Sequence, residues 1–168
     1  MNVAPTAVSV PRQAIALLKD EEKQGDYAPS PTLYESGAPY RNPGFLAYQI
    51  ARLLADEKFA QAEPLARECL ATREKQNPDA WQAFNARSML GASLLGQKKS
   101  AEAEPLLLAA YAGLKQRKDL IPTAHLKETL QRLVQLYEAT GRADQAGEWK
   151  QKLAEDEKAE TEQKLAKP

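Results

Sequence analysis

The sequence is poor in the residues that most often carry catalysis or bind metals. Its 168 residues include one cysteine, Cys69, and one histidine, His125. A single cysteine cannot form an intrachain disulfide, and these two residues are too few for a zinc site of the ordinary ligand type. No paired acidic motif lies on an apolar background, so the general acid and base of an enzyme are also missing. We therefore expect a noncatalytic protein that needs no cofactor or metal.

An excess of charge and long apolar runs are lacking as well. Lysine plus arginine number 23, and aspartate plus glutamate also number 23. This balance argues against the broad positive field of a nucleic-acid-binding protein, and it gives no support for binding to a membrane surface. No segment approaches the roughly 18 apolar residues of a membrane span, and the first residues lack the pattern of a signal peptide. The sequence predicts a soluble protein, and its low cysteine content favours the cytoplasm.

What the sequence does contain is an internal repeat. The stretch Ala62-Glu63-Pro64-Leu65 returns as Ala103-Glu104-Pro105-Leu106 after 41 residues, and Ala146 follows Ala103 by 43 residues. Intervals of this length are typical of proteins in which one helical hairpin cannot bury its own apolar face and stacks on the next. Alanine at positions 62, 103 and 146 would let the two helices of a hairpin approach closely. The repeat predicts three stacked units.

Apolar residues recur at steps of three and four from Phe45 onward, which predicts an all-α fold of antiparallel helix pairs. No segment alternates with the two-residue period of a strand. Asn77-Pro78 should end the first pair, and Gly141 should supply a left-handed stop within the third. The predicted helices cover residues 45–57, 59–75, 79–97, 100–117 and 123–139, and a last one runs from 143 into the tail.

The chain divides at about residue 44. Residues 1–44 are rich in proline, which predicts a short N-terminal helix with an apolar stripe at Ile15, Leu17 and Leu18, followed by an extended, irregular arm over residues 28–44. Residues 45–168 form the repeat domain. Its tail mixes both signs of charge with almost no large apolar residue, which predicts a solvated C-terminal capping helix.

The repeat resembles the tetratricopeptide family, whose units set a Leu-Gly pair and an aromatic residue on the first helix against alanines on the second. Leu90-Gly91, Leu94, Ala103 and Ala110 take those places in the middle unit. The interval of 41 to 43 residues resembles the long variant found in kinesin light chains and in arrays of bacterial multidomain serine/threonine kinases. This resemblance implies a short right-handed α-solenoid. It implies no kinase activity, because the Gly-rich loop and the Asp-Phe-Gly element are missing.

The resemblance also implies a function, since in this family the first helix of each pair lines a concave face that binds a peptide or partner protein. Small or uncharged side chains at such positions suit the backbone of an extended peptide better than a phosphate. Arg87 and Arg132 are candidates either for binding a partner's carboxylate or for bracing a neighbouring helix. The positions expected to face the partner are Asn85, Ser88, Ala92, Gln131, Gln135 and Glu138.

Two single residues and the alternative functions complete these expectations. His125 is predicted to cap a helix or lie on the surface, and Cys69, which aligns with Ala110, is predicted to fill a small buried place. One alternative function is a self-associating structural module whose exposed terminal edges stack in a homodimer. Another is a regulatory domain of a larger bacterial signalling protein. An all-helical enzyme is disfavoured because no nucleophile and base pair is visible.

Overall fold

The structure, a computed structural model, describes residues 42–165. In this range the chain is all-helical, contains no strand, and packs six helices against their neighbours. Each helix boundary for which the sequence predicts a residue lies within two residues of that position. The helices are α1 (Pro43–Ala55), α2 (Phe59–Gln76), α3 (Trp81–Gly96), α4 (Ser100–Lys115), α5 (Thr123–Ala139) and α6 (Ala143–Leu165), with a short 3-10 helix at Lys118–Leu120 before α5.

The start of α1 corrects one prediction. Pro43 and Gly44 are buried residues of the first helical turn rather than part of an irregular arm. Asn42 caps the helix because its Oδ1 accepts a hydrogen bond from the Gly44 N–H at 2.7 Å, and Pro43 occupies the first turn, where its missing N–H costs nothing. The predicted N-terminal helix and the rest of the arm lie outside the described residues.

Three-residue loops join the helices of each pair, and all three loops have the same backbone geometry. Their middle residues have positive φ angles of 57° at Glu57, 64° at Lys98 and 70° at Gly141. In each loop the backbone N–H of the last loop residue donates a hydrogen bond to the carbonyl five residues earlier, at 2.8 to 2.9 Å. The left-handed stop predicted at Gly141 is confirmed, while Glu57 and Lys98 adopt the same conformation without glycine. The interval seen in the sequence is therefore also a repeat of the backbone.

Small buried residues allow the helices of each pair to pack closely. Ala62 and Ala103 are fully buried, and Ala146 is 4% exposed. A Cβ atom added to Gly91 of α3 would lie 2.7 Å from the side chain of Leu107 on α4, so these two helices approach where the sequence provides glycine. Beyond its sequence neighbours, α3 also contacts α1 and α5, which places the three first helices side by side.

Among the described helices, none combines the length with the apolar character that crossing a membrane demands.

Candidate partner-binding groove

A groove of about 370 Å³ lies over the C-terminal ends of α1, α3 and α5, the first helices of the three pairs. Its floor is made of small and apolar side chains, while Glu57, Arg132 and Gln135 supply the polar groups. Alanine and glycine at the surface leave room for another backbone to approach closely. The lining residues are Leu54, Ala55, Glu57, Phe59, Ala92, Leu95, Gly96, Arg132, Gln135 and Ala139.

Gly96 shapes the floor of this groove. A Cβ atom at this position would lie 2.2 Å from Cγ of Phe59, the first residue of α2. The aromatic ring therefore packs against the end of α3 only because the side chain of Gly96 is a hydrogen atom. A larger residue at position 96 would displace Phe59 and change the apolar floor.

Arg132 is fixed at the polar side of the groove by bonds within the protein. It donates from Nη1 to Ser88 Oγ at 2.8 Å and from Nη2 to Glu128 Oε2 at 3.0 Å. Thr129 donates its single hydroxyl hydrogen to the His125 carbonyl at 2.8 Å, so the 2.7 Å bond between Thr129 and Ser88 must be donated by Ser88. Arg132 thus braces α5 against α3, as the second of its two predicted roles requires.

The predicted contact residues divide into two groups. The expectation that Asn85 and Ser88 face outward is wrong, because they are 4% and 0% exposed. Gln131, Gln135 and Glu138 are exposed on α5, as expected, and their contact with a partner stays a prediction. Of the six positions, Gln135 and Ala92 line the groove. Glu138 pairs with Lys150 of α6 at 2.6 Å, so its charge is already matched.

Asn85 occupies an internal site rather than the binding face. Among the side chains that the structure describes, its Oδ1 is the only buried nitrogen or oxygen without a hydrogen-bond partner. The neighbouring cavity, which Cys69 and Arg73 also line, measures about 10 Å³. This volume suits at most one water molecule and cannot admit a side chain of a partner.

Arg87 and His125 also have internal roles. Arg87 donates to Glu74 of α2 at 2.6 Å from Nη2 and 3.0 Å from Nε, which again matches a brace between helices. His125 is buried, and its ring stacks on that of Trp81 with 4.9 Å between centroids. The surface role predicted for His125 is therefore wrong, because α3 supplies an aromatic ring that covers the start of α5.

Cys69 has the buried place that the sequence predicts. It is 1% exposed, and its Sγ donates to the Pro43 carbonyl at 3.4 Å. Burial raises the pKa of the Cys69 thiol above its ordinary value. A protonated, inaccessible thiol is a poor nucleophile.

A carboxylate in the repeated motif, which sequence reasoning used only to mark the repeat, links the first pair to the second. Glu63 of α2 accepts hydrogen bonds from Lys99 at 2.9 Å and Gln97 at 2.7 Å, both in the loop of the next pair. Arg67 also donates to it at 2.7 Å. These bonds, that from Lys99 foremost, lower the pKa of Glu63 from 4.5 to about 2.

Glu104 repeats this link between the second and third pairs. It accepts two bonds from Arg142 at 2.8 Å and one from Tyr137 at 3.0 Å. The bond from Arg142 is the main reason that the pKa of Glu104 is lowered. The sequence held a signal for these links: a cation stands four residues before the repeated alanine of the next pair, Lys99 before Ala103 and Arg142 before Ala146.

Among residues 42–165, no group of three or more histidine, cysteine, aspartate or glutamate side chains could hold a metal ion. No protein-family model matches the chain, and no curated protein matches its sequence. The geometry of the groove and the chemistry of its lining therefore indicate the function.

Proposed function

We propose that this protein is a noncatalytic scaffold that binds an extended segment of a partner protein in the groove over α1, α3 and α5. The three helix pairs then form a short right-handed α-solenoid of the tetratricopeptide type, with the first helices on its concave face. The observation that carries this proposal is that one groove draws its lining from the first helices of all three pairs.

The lining favours a peptide with apolar side chains over a strongly charged ligand. Leu54, Leu95 and the Phe59 ring supply apolar area, whose burial is worth roughly 25 cal/mol per Å². Gln135 can both donate and accept hydrogen bonds, which suits a peptide backbone. Arg132 is already bonded to Ser88 and Glu128, so a carboxylate of the partner would have to compete with these bonds.

Two features of the described residues favour a noncatalytic role. The Cys69 thiol is buried and its pKa is raised, so it is a poor nucleophile. The ring of His125 is buried against Trp81, away from the groove. The groove itself combines no nucleophile with a base, which acyl or phosphoryl transfer would need.

The test uses linear peptides selected on the purified protein from a phage-displayed random library, with affinities measured by isothermal titration calorimetry. We expect Ala139→Arg, which places a long cation in the groove, to weaken binding at least tenfold, or about 1.4 kcal/mol. The matched control is Ala109→Arg, at an exposed alanine of α4 outside the groove. Circular dichroism should show both variants folded. Equal affinity of the two variants for every selected peptide would refute the proposed site.

A further inference from the structure

The outer face of α1, which contains Tyr48, is exposed to solvent, whereas the equivalent faces of α3 and α5 pack against the preceding helix pair. Tyr48, Met89 and Arg132 occupy the same place in α1, α3 and α5, at the repeat intervals of 41 and 43 residues. Arg132 reaches back to Ser88 of α3, so this place faces the preceding helix pair. Met89 is 3% exposed there, whereas Tyr48 is 38% exposed and is one of three exposed large hydrophobic residues in the described part of the chain. Tyr48 therefore lies where a preceding element would pack.

A second position on this face, Arg52, indicates what kind of element can pack there. Arg52 is exposed on α1, whereas the equivalent residues Ser93 of α3 and Leu136 of α5 are fully buried. A complete helix pair stacked here, as the later pairs are stacked, would bury a guanidinium group, which is costly unless a carboxylate pairs with it. The face suits a narrower element that covers Tyr48 and brings an acidic group to Arg52.

The chain itself contains a segment with this chemistry. Forty-one residues precede Asn42, and they include the apolar Ile15, Leu17 and Leu18 followed by the acidic run 20–22. In a helix, Ile15, Leu18 and Glu22 would share one face. The 23 residues between Leu18 and Asn42 can span roughly 75 Å when extended. A helix of 13 residues such as α1 is only about 20 Å long, so the segment can reach any part of its face.

We propose that residues 11–23 pack against the outer face of α1, with their apolar stripe on Tyr48 and their acidic run beside Arg52, and so cap the array within one chain. Neither Tyr48 nor Arg52 lines the groove described above. The cap and the binding of a partner are therefore separate, and the two proposals can fail independently.

Paramagnetic relaxation enhancement in the full chain tests this contact. A nitroxide is attached to the variant Lys19→Cys, with Cys69 retained because it is buried. We expect the amide signals of Tyr48 and Arg52 to broaden while those of the last three turns of α6 do not. A label on Glu148→Cys, at an exposed residue of α6, is the matched control and should leave the signals of Tyr48 and Arg52 sharp.

Two further samples decide the source of the broadening. Adding Leu18→Asp to the labelled chain should abolish it, whereas Leu18→Met should preserve it. In a mixture of labelled unenriched chain and unlabelled ¹⁵N chain, we expect no broadening, because the contact is intrachain. Sharp Tyr48 and Arg52 signals in the first sample, or persistence with Leu18→Asp, would overturn the proposal. Broadening in the mixture would overturn it in favour of a second copy of the chain on this face.

Discussion

The substitution Gly91→Ala tests the close packing of α3 on α4. The added methyl group would lie 2.7 Å from both Cγ and Cδ2 of Leu107, closer than packed carbon atoms approach. Leu107 is fully buried in the core, so its side chain has little room to move away. The next nearest atom is the Ala103 carbonyl oxygen at 3.5 Å, an ordinary contact, so Leu107 is the source of the expected strain.

Two opposing effects determine how much Gly91→Ala changes the free energy of unfolding. Alanine is favoured over glycine inside a helix by about 1 kcal/mol, whereas overpacking a core costs about 1 to 3 kcal/mol. Gly147→Ala isolates the first part, because Gly147 lies within α6 and a methyl group there would meet no atom within 4 Å beyond its chain neighbours and the backbone of its own helix. We expect Gly147→Ala to raise the free energy of unfolding by about 0.5 to 1 kcal/mol. The free energy of unfolding of the Gly91→Ala variant should be lower than that of the Gly147→Ala variant by about 1 to 3 kcal/mol.

Urea denaturation followed by circular dichroism at 222 nm gives both free energies of unfolding. Comparing the two variants cancels the helix propensity and leaves the cost of the contact with Leu107. The same contact with Leu107 makes Gly91→Leu still more destabilising, because three further carbon atoms would enter the same space. If Gly91→Ala stabilises the protein as much as Gly147→Ala, the assigned packing of α3 on α4 is wrong.

Three other predictions follow from the contacts between helices. Because the pKa of Glu63 is lowered from 4.5 to about 2, its bonds stabilise the fold above pH 4.5 and this contribution is lost as the pH falls towards 2. Because solvent screens the half-exposed cationic partners, we expect Glu63→Gln to lower the free energy of unfolding at pH 7 by only about 1 kcal/mol. The free energy of unfolding of this variant, measured in urea, should also change less between pH 7 and acid pH, and an equal change in the two proteins would contradict the pairing. A double-mutant cycle of Ser88→Ala with Thr129→Val should give a coupling of about 0.5 to 1.5 kcal/mol, and strict additivity would contradict the bond. A thiol reagent should modify Cys69 quickly in urea and slowly in the folded protein, and equal rates would contradict its burial.

Much of the fold could be predicted because its determinants are local. The three- and four-residue spacing of apolar side chains predicted the positions of the helices, and Asn77-Pro78 and Gly141 predicted where two of them end. The alanines at 62, 103 and 146 identified the close helix contacts for the same reason, since packing depends on side-chain size. Pro43 departs from the prediction because proline, which breaks a helix in its interior, is favoured in the first helical turn.

The site was harder to predict because exposure depends on the neighbouring pair. Position along a helix gives the direction of a side chain, but α3 has α1 on one side and α5 on the other, so Asn85 and Ser88 are enclosed. The equivalent face of α5 has no following pair in the described residues, and Gln131 and Gln135 remain exposed. The links made by Glu63 and Glu104 join residues 33 to 38 positions apart, which no local pattern specifies.

The claim that successive helix pairs stack at the repeat interval can be tested directly at Ser88 and Thr129, whose hydroxyl oxygens lie 2.7 Å apart across 41 residues of sequence. The measurement is the nuclear Overhauser effect between the Thr129 methyl protons and the Ser88 β protons in a uniformly labelled sample. We predict a cross-peak between these protons, because the two hydroxyl oxygens are in hydrogen-bonding contact. Its absence from a spectrum in which both residues are assigned would contradict the stacking of the second and third pairs.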